Sequence, residues 1–140
     1  MPPLNPSHCV QVACIDDDNW QVVAPYTFVS KLGCTVLVEA GFITDGASVP
    51  RILWSAIPLF GRHFNAAVIH DRLYREPDAA KKLPKDTCDR IFLEIMERDG
   101  VSEERRIAMY EAVRACGASS YCRGKEAAAK SLALEEEEPA

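Results

Sequence analysis

Arg62-His63-Phe64-Asn65-Ala66-Ala67-Val68-Ile69-His70-Asp71-Arg72-Leu73-Tyr74-Arg75-Glu76 reads with a helical period, unlike the strand-like first 45 residues. Phe64, Ala67, Val68, Asp71 and Tyr74 or Arg75 fall on one side by three-four spacing. Ala66, Ile69, His70 and Leu73 lie next to them, which predicts a buried helix. Pro77 ends it. The stretch divides the chain into a β-rich part before it and a helical part after it.

Downstream, Pro84 suits the first turn of a second helix over Lys85 to Asp99, with Gly100 just past its end. Its apolar stripe is Cys88, Ile91, Phe92, Ile95 and Met96. Ser102 is an N-cap candidate, and Glu103 and Glu104 suit the positive first turn of a third helix. Met109, Ala112, Val113 and Cys116 line one face of that helix, which is expected to run to about Cys122. Upstream, Cys9 to Ile15 and Trp20 to Val29 are rich in Val, Ile, Tyr, Phe and Trp, and the turn cluster Asp16-Asp17-Asp18-Asn19 joins them into a hairpin. Pro25 either demotes the second run to an edge strand or splits it. Cys34 to Glu39 and Gly41 to Thr44 read as further strands, and Arg51 to Ile57 as a short helix ended by Pro58. The expected fold is α+β: a small N-terminal antiparallel β-sheet followed by a bundle of about three helices. Residues 1–7 read as a flexible lead, 8–123 as a single domain, and 124–140 as an Ala-, Lys- and Glu-rich acidic tail.

A chain of 140 residues with 48% hydrophobic content has room for one core. The net charge of −5 argues against a nucleic-acid partner, which calls for a clustered basic surface. Much of that charge is local, since without Glu135 to Glu138 the balance is −1. No apolar run approaches the roughly 18–20 residues of a membrane span. The opening Met-Pro-Pro-Leu-Asn-Pro has neither a basic flank nor an apolar segment of secretory length. Synthesis in a cytoplasm is the expectation. The six cysteines show no Cys-x-x-Cys pair and no zinc-finger spacing, so they read as thiols.

Polar residues that a packed core does not need gather in Gly41-Phe42-Ile43-Thr44-Asp45-Gly46-Ala47-Ser48-Val49-Pro50-Arg51 and in His70-Asp71-Arg72-Leu73-Tyr74. His70 and Asp71 are mid-helix, where backbone groups are already paired, so their side chains need partners of their own. Tyr74 is one turn after His70. If the first two helices pack antiparallel across the short connection, Asp89 approaches the imidazole. An aspartate on one ring nitrogen fixes the tautomer and leaves the other nitrogen as a general base. His70, Asp89 and Tyr74 are therefore the candidate catalytic group. Asp71, about 100° further round the helix, and Asp45 are candidate ligands of a hard cation, calcium above all, with zinc on Asp45, His70 and Asp71 as a variant. Ser48, Arg51 and Trp54 are candidate substrate-binding residues. Arg51 is also a rival for the cation, because a guanidinium paired with Asp71 or Asp45 neutralises that site.

His70, Asp71, Tyr74 and Asp89 resemble the site of secreted phospholipase A2, in which a helix carries His-Asp-x-x-Tyr. The resemblance implies His70 as base, Asp71 as calcium ligand and Asp89 as the group that orients His70. The flanking cysteines and the glycine-rich calcium loop of that family are absent. A broader resemblance rests on Gly41 to Arg51, Trp54, Pro58, Gly61, Ala66-Ala67, His70-Asp-x-Leu-Tyr74, Asp89-x-Ile-Phe92, Gly100-Val101 and Tyr110-x-Ala-Val-Arg114. Over roughly residues 40–121 these resemble a phage- and prophage-encoded domain-of-unknown-function family, number 1353. That resemblance implies a viral or prophage origin, with synthesis in the host cytoplasm, and supplies no mechanism.

Two functional classes fit these residues. One is a hydrolase with a His-Asp dyad, acting on an ester of a lipid or another cell-envelope component. The other is a virion or assembly protein (tail, connector or capsid-associated) whose partners are other virion proteins. In that class His70, Tyr74 and Asp89 form a buried staple between helices, and Asp45-Gly46-Ala47-Ser48 is a turn.

Overall fold

In the computed structural model, residues 8–17, 19–44, 61–116 and Tyr121 are described. The expected hairpin is formed by β1 (Val12–Cys14) and β2 (Trp20–Val22), paired antiparallel with Cys14 opposite Trp20. Its turn is closed by Asp16, whose carboxylate accepts the Asn19 amide N–H at 2.8 Å. The run from Trp20 to Val29 is split at Pro25, as a residue without a ladder donor allows. Its second half is β3 (Tyr26–Val29), which pairs antiparallel with β4 (Thr35–Val38) in a separate two-stranded sheet. Gly33 turns that hairpin at φ +90°, where a Cβ is strained. β5 (Ile43–Thr44) returns to the other side of β2, giving the order β1-β2-β5. The β part is thus two small antiparallel sheets rather than one.

Strand alternation sets the inner face. Trp20 and Val22, Phe28, Val36 and Val38, and Thr44 are buried, while Val29, Leu37 and Ile43 face out. Against the inner face lies α1 (Phe64–Tyr74), with Trp20 meeting Phe64 edge-on at 5.8 Å. Only Phe64 and Arg72 of this helix keep partial exposure. A helix buried on nearly every side is central to the described residues. α2 (Lys85–Arg98) is amphipathic, burying the expected stripe Cys88, Ile91, Phe92, Ile95 and Met96, and Asp89 with it. α3 (Glu103–Cys116) adds Met109 and Val113 to the same core.

Polar contacts give the helix directions. Asn65 at the start of α1 donates to Asp99 just past α2, at 3.3 Å, while Tyr74 at its end reaches Asp89 near the start of α2. The two helices therefore run antiparallel. A Schellman turn links α2 to α3: Val101 N–H bonds the Met96 carbonyl at 3.0 Å and Gly100 N–H that of Glu97 at 3.2 Å, with Gly100 at φ +77°. Ser102 caps α3 through its hydroxyl, which accepts the Arg105 N–H at 3.4 Å. The lead 1–7, the short helix over 51–57, the extension of α3 from 117 to about 122 (Tyr121 apart) and the tail 124–140 lie outside the described residues. No described helix is long and apolar enough to cross a membrane.

Candidate active site

The centre of the site is a carboxylate in the core. Asp89 is 1% exposed, and an ion so placed is tolerated only when both oxygens are bonded. Its Oδ1 lies 2.8 Å from His70 Nε2 and accepts the Tyr74 hydroxyl at 2.5 Å. Its Oδ2 accepts the Lys85 ammonium at 2.8 Å. Helix geometry explains the convergence. His70 and Tyr74 are four residues apart on α1, and Lys85 and Asp89 four apart on α2, so each pair stands on one face. The antiparallel packing brings the two faces together. His70 itself is 1% exposed, flanked by the Tyr74 ring at 4.1 Å and the Phe92 ring at 4.7 Å.

The surroundings fix the protonation states. Burial pushes the Asp89 carboxyl up, but the bonds from His70, Lys85 and Tyr74 prevail and hold it below its ordinary value. Burial lowers the imidazole of His70, and the opposing bond to Asp89 does not restore it. Burial, then the bond to Asp89, raises the Tyr74 hydroxyl, which stays a donor. At neutral pH the pair is an aspartate anion facing a neutral imidazole. An anion can only accept, so Nε2 carries the proton and Nδ1 holds the lone pair.

Asp71 occupies a different place. Its Oδ2 accepts the Thr44 hydroxyl at 2.8 Å and its Oδ1 pairs with Arg75 Nε at 3.1 Å. Arg75 also donates to the Ile43 carbonyl at 3.1 Å. The carboxylate thus fastens β5 to α1 and has a cation beside it, supplied by Arg75. Among the described residues no group of three or more His, Cys, Asp or Glu stands where it could hold a metal ion. Asp45, Ser48, Arg51 and Trp54 lie outside the described residues. Cys88, next to Asp89 in the chain, is buried, its thiol pushed up to about 12 by burial and directed at the Leu83 carbonyl. That makes it a packing residue rather than a nucleophile.

Of the residues singled out in the sequence, the structure brings His70, Tyr74 and Asp89 together. Lys85 and Phe92 beside that group, and Thr44 and Arg75 beside Asp71, were not anticipated. The i,i+4 spacing of Lys85 and Asp89 was a usable signal for the first. Thr44 and Asp71 are 27 residues apart in unlike elements, and no local pattern links them.

The family model described as "Protein of unknown function (DUF1353)" matches residues 20–113, more than half of the chain. The chain belongs to the DUF1353 family. The segment matched to DUF1353 runs from β2 into α3 and carries His70, Tyr74, Lys85 and Asp89. No curated protein and no solved structure matches the chain.

Proposed function

We propose that this chain is a phage- or prophage-encoded hydrolase in which His70 activates water against an ester of a lipid or another cell-envelope component. The observation that carries the reading is the 2.8 Å contact of His70 Nε2 with an Asp89 carboxylate whose two oxygens are both engaged. A neutral imidazole with its Nε2 proton held by an anion is prepared to take a proton at Nδ1. Nδ1 accepts a proton from water, the water oxygen bonds to the ester carbonyl carbon, and the imidazolium is stabilised by Asp89. The C–O bond to the leaving alcohol then breaks, and that alcohol takes the proton from Nδ1. A His→Asp→Tyr arrangement on two antiparallel helices also agrees with the phospholipase A2 likeness, which supports an ester over an amide.

The test is a panel of ester and amide substrates offered to the full chain with calcium, with zinc, and with a chelator. Hydrolysis lost in His70→Gln supports the reading. The absence of any hydrolysis in all three conditions overturns it.

The second reading is a virion or assembly protein in which the same residues staple helices. It is favoured by the 1% exposure of His70 and by the bonds that Lys85 sends to α3, since a staple needs no solvent access. Stoichiometric copies in purified particles, together with an inactive substrate panel, support this reading. Absence from particles contradicts it.

A further inference from the structure

We infer that the outer edge of β4 is an interface between two copies of this chain, which pair their β4 strands antiparallel across a two-fold axis. The inference is independent of what His70 does. Ser30 N–H bonds the Cys34 carbonyl at 2.8 Å and Gly33 N–H the Ser30 carbonyl at 3.1 Å, which closes the β3–β4 hairpin with a bulge at Gly33. Bonded positions alternate along an antiparallel pair. Phe28 and Val36, and Tyr26 and Val38, therefore exchange bonds within the hairpin, while Thr35 and Leu37 turn their N–H and C=O to the outer edge of β4. Among the described residues no further strand pairs with that edge.

An open edge invites another strand, and soluble proteins block it with charge, proline or a bulge. β4 is Thr35-Val36-Leu37-Val38 and carries none of these. β3 is guarded. Pro25 immediately precedes it and falls on the same alternation as Thr27 and Val29, so its missing N–H interrupts that outer edge. A second copy of β4 fits the unguarded edge. With Val36 facing its own counterpart at the axis, Thr35 of each copy stands opposite Leu37 of the other, and outward donors meet outward acceptors. The side chains of Leu37, 55% exposed, and Val29, 70% exposed, then share one outer face of a continuous sheet. Charge agrees with a second copy as the occupant. Exposed Lys31 lies before one end of β4 and half-exposed Glu39 just past the other, so antiparallel pairing carries Glu39 of one copy toward Lys31 of the second. An edge of 4 residues covers less than the ~800 Å² per partner of a standard interface, so the dimer is expected to be weak.

The test is sedimentation equilibrium of the full chain from about 10 µM to about 1 mM, with amide hydrogen exchange read over the same range. The mass is expected to rise toward that of two chains. Exchange at Thr35 and Leu37 is expected to slow with concentration, and that at Thr27 and Val29 to stay unchanged. Leu37→Lys sets like charges near the axis and is expected to raise the dissociation constant by about tenfold or more. Val29→Lys, on the same face but away from the edge, is expected to leave it within about twofold. Should Leu37→Lys not fold, Thr35→Lys is read by the same criterion. A chain that stays monomeric to about 1 mM overturns the inference. So does protection of Thr35 and Leu37 already in dilute protein, which assigns the edge to a segment of the same chain. A dimer that Leu37→Lys spares also overturns it, by placing the interface elsewhere.

Discussion

Asp89 concentrates more of the energetics than any other described residue of the site. Three donors converge on it in the core, and removing the carboxylate strands all three. Asp89→Ala is expected to destabilise the fold by about 3–5 kcal/mol, read as the unfolding free energy in urea. Asp89→Asn, which keeps an acceptor, is expected to cost less. Equal losses in the two variants contradict the account of the site. Acid acts on the same group of residues. The folded imidazole of His70 titrates below the ordinary 6.5, chiefly through burial. Between that ordinary value and the lowered one, the unfolded chain binds a proton that the folded chain refuses. Stability is therefore full above pH 6.5 and falls as pH drops through the folded value. Asp89 has the same sign, its contribution being present above 3.8 and lost at lower pH. The urea midpoint is expected to be lower at about pH 5 than at about pH 7.5, and a midpoint that is flat or rises contradicts the buried neutral histidine. At this scale His70, Tyr74 and Asp89 were legible because the antiparallel helix pair follows from two prolines and an apolar phase. The bonds of Asp71 to Thr44 and Arg75 were not, because they depend on where β5 meets α1.

Elements are set by local signals wherever those signals are strong. Pro25 split one β run into strands of two sheets, an outcome its missing N–H allows, but which sheet each half joins is decided by packing on α1. Gly100 and Ser102 place the end of α2 and the start of α3 as read from the sequence. Pro84 differs slightly: at φ −57° and ψ 147° it is the N-cap of α2, and the first helical residue is Lys85. The α2–α3 turn yields a direct check. At φ +77° an alanine is strained, whereas the nearby Arg62 side-chain end can move away. Gly100→Ala is expected to cost about 1 kcal/mol or more in thermal or urea unfolding. A neutral or stabilising effect contradicts the Schellman geometry.

The described residues form two small sheets laid on α1, with α2 packed on α1 and α3 packed on α2, and this places the polar group between α1 and α2. The α+β order was legible because the strand pattern of the first 45 residues gives way to helical spacing after them. The division into two sheets was not, since strand pairing between distant segments leaves no local signature. Membership of the DUF1353 family fits the residues that stood out first, and the matched segment includes the dyad and the helix pair that builds it. Whether that dyad does chemistry is the central question at this scale. A glutamine at position 70 places its amide nitrogen near that of Nε2 and still donates to Asp89, but offers no base. The most direct measurement compares ester hydrolysis and melting temperature in the native chain and in His70→Gln. The account predicts a loss of rate of about a hundredfold or more with the melting temperature held within a few degrees. A glutamine variant that hydrolyses the same ester at the native rate contradicts it.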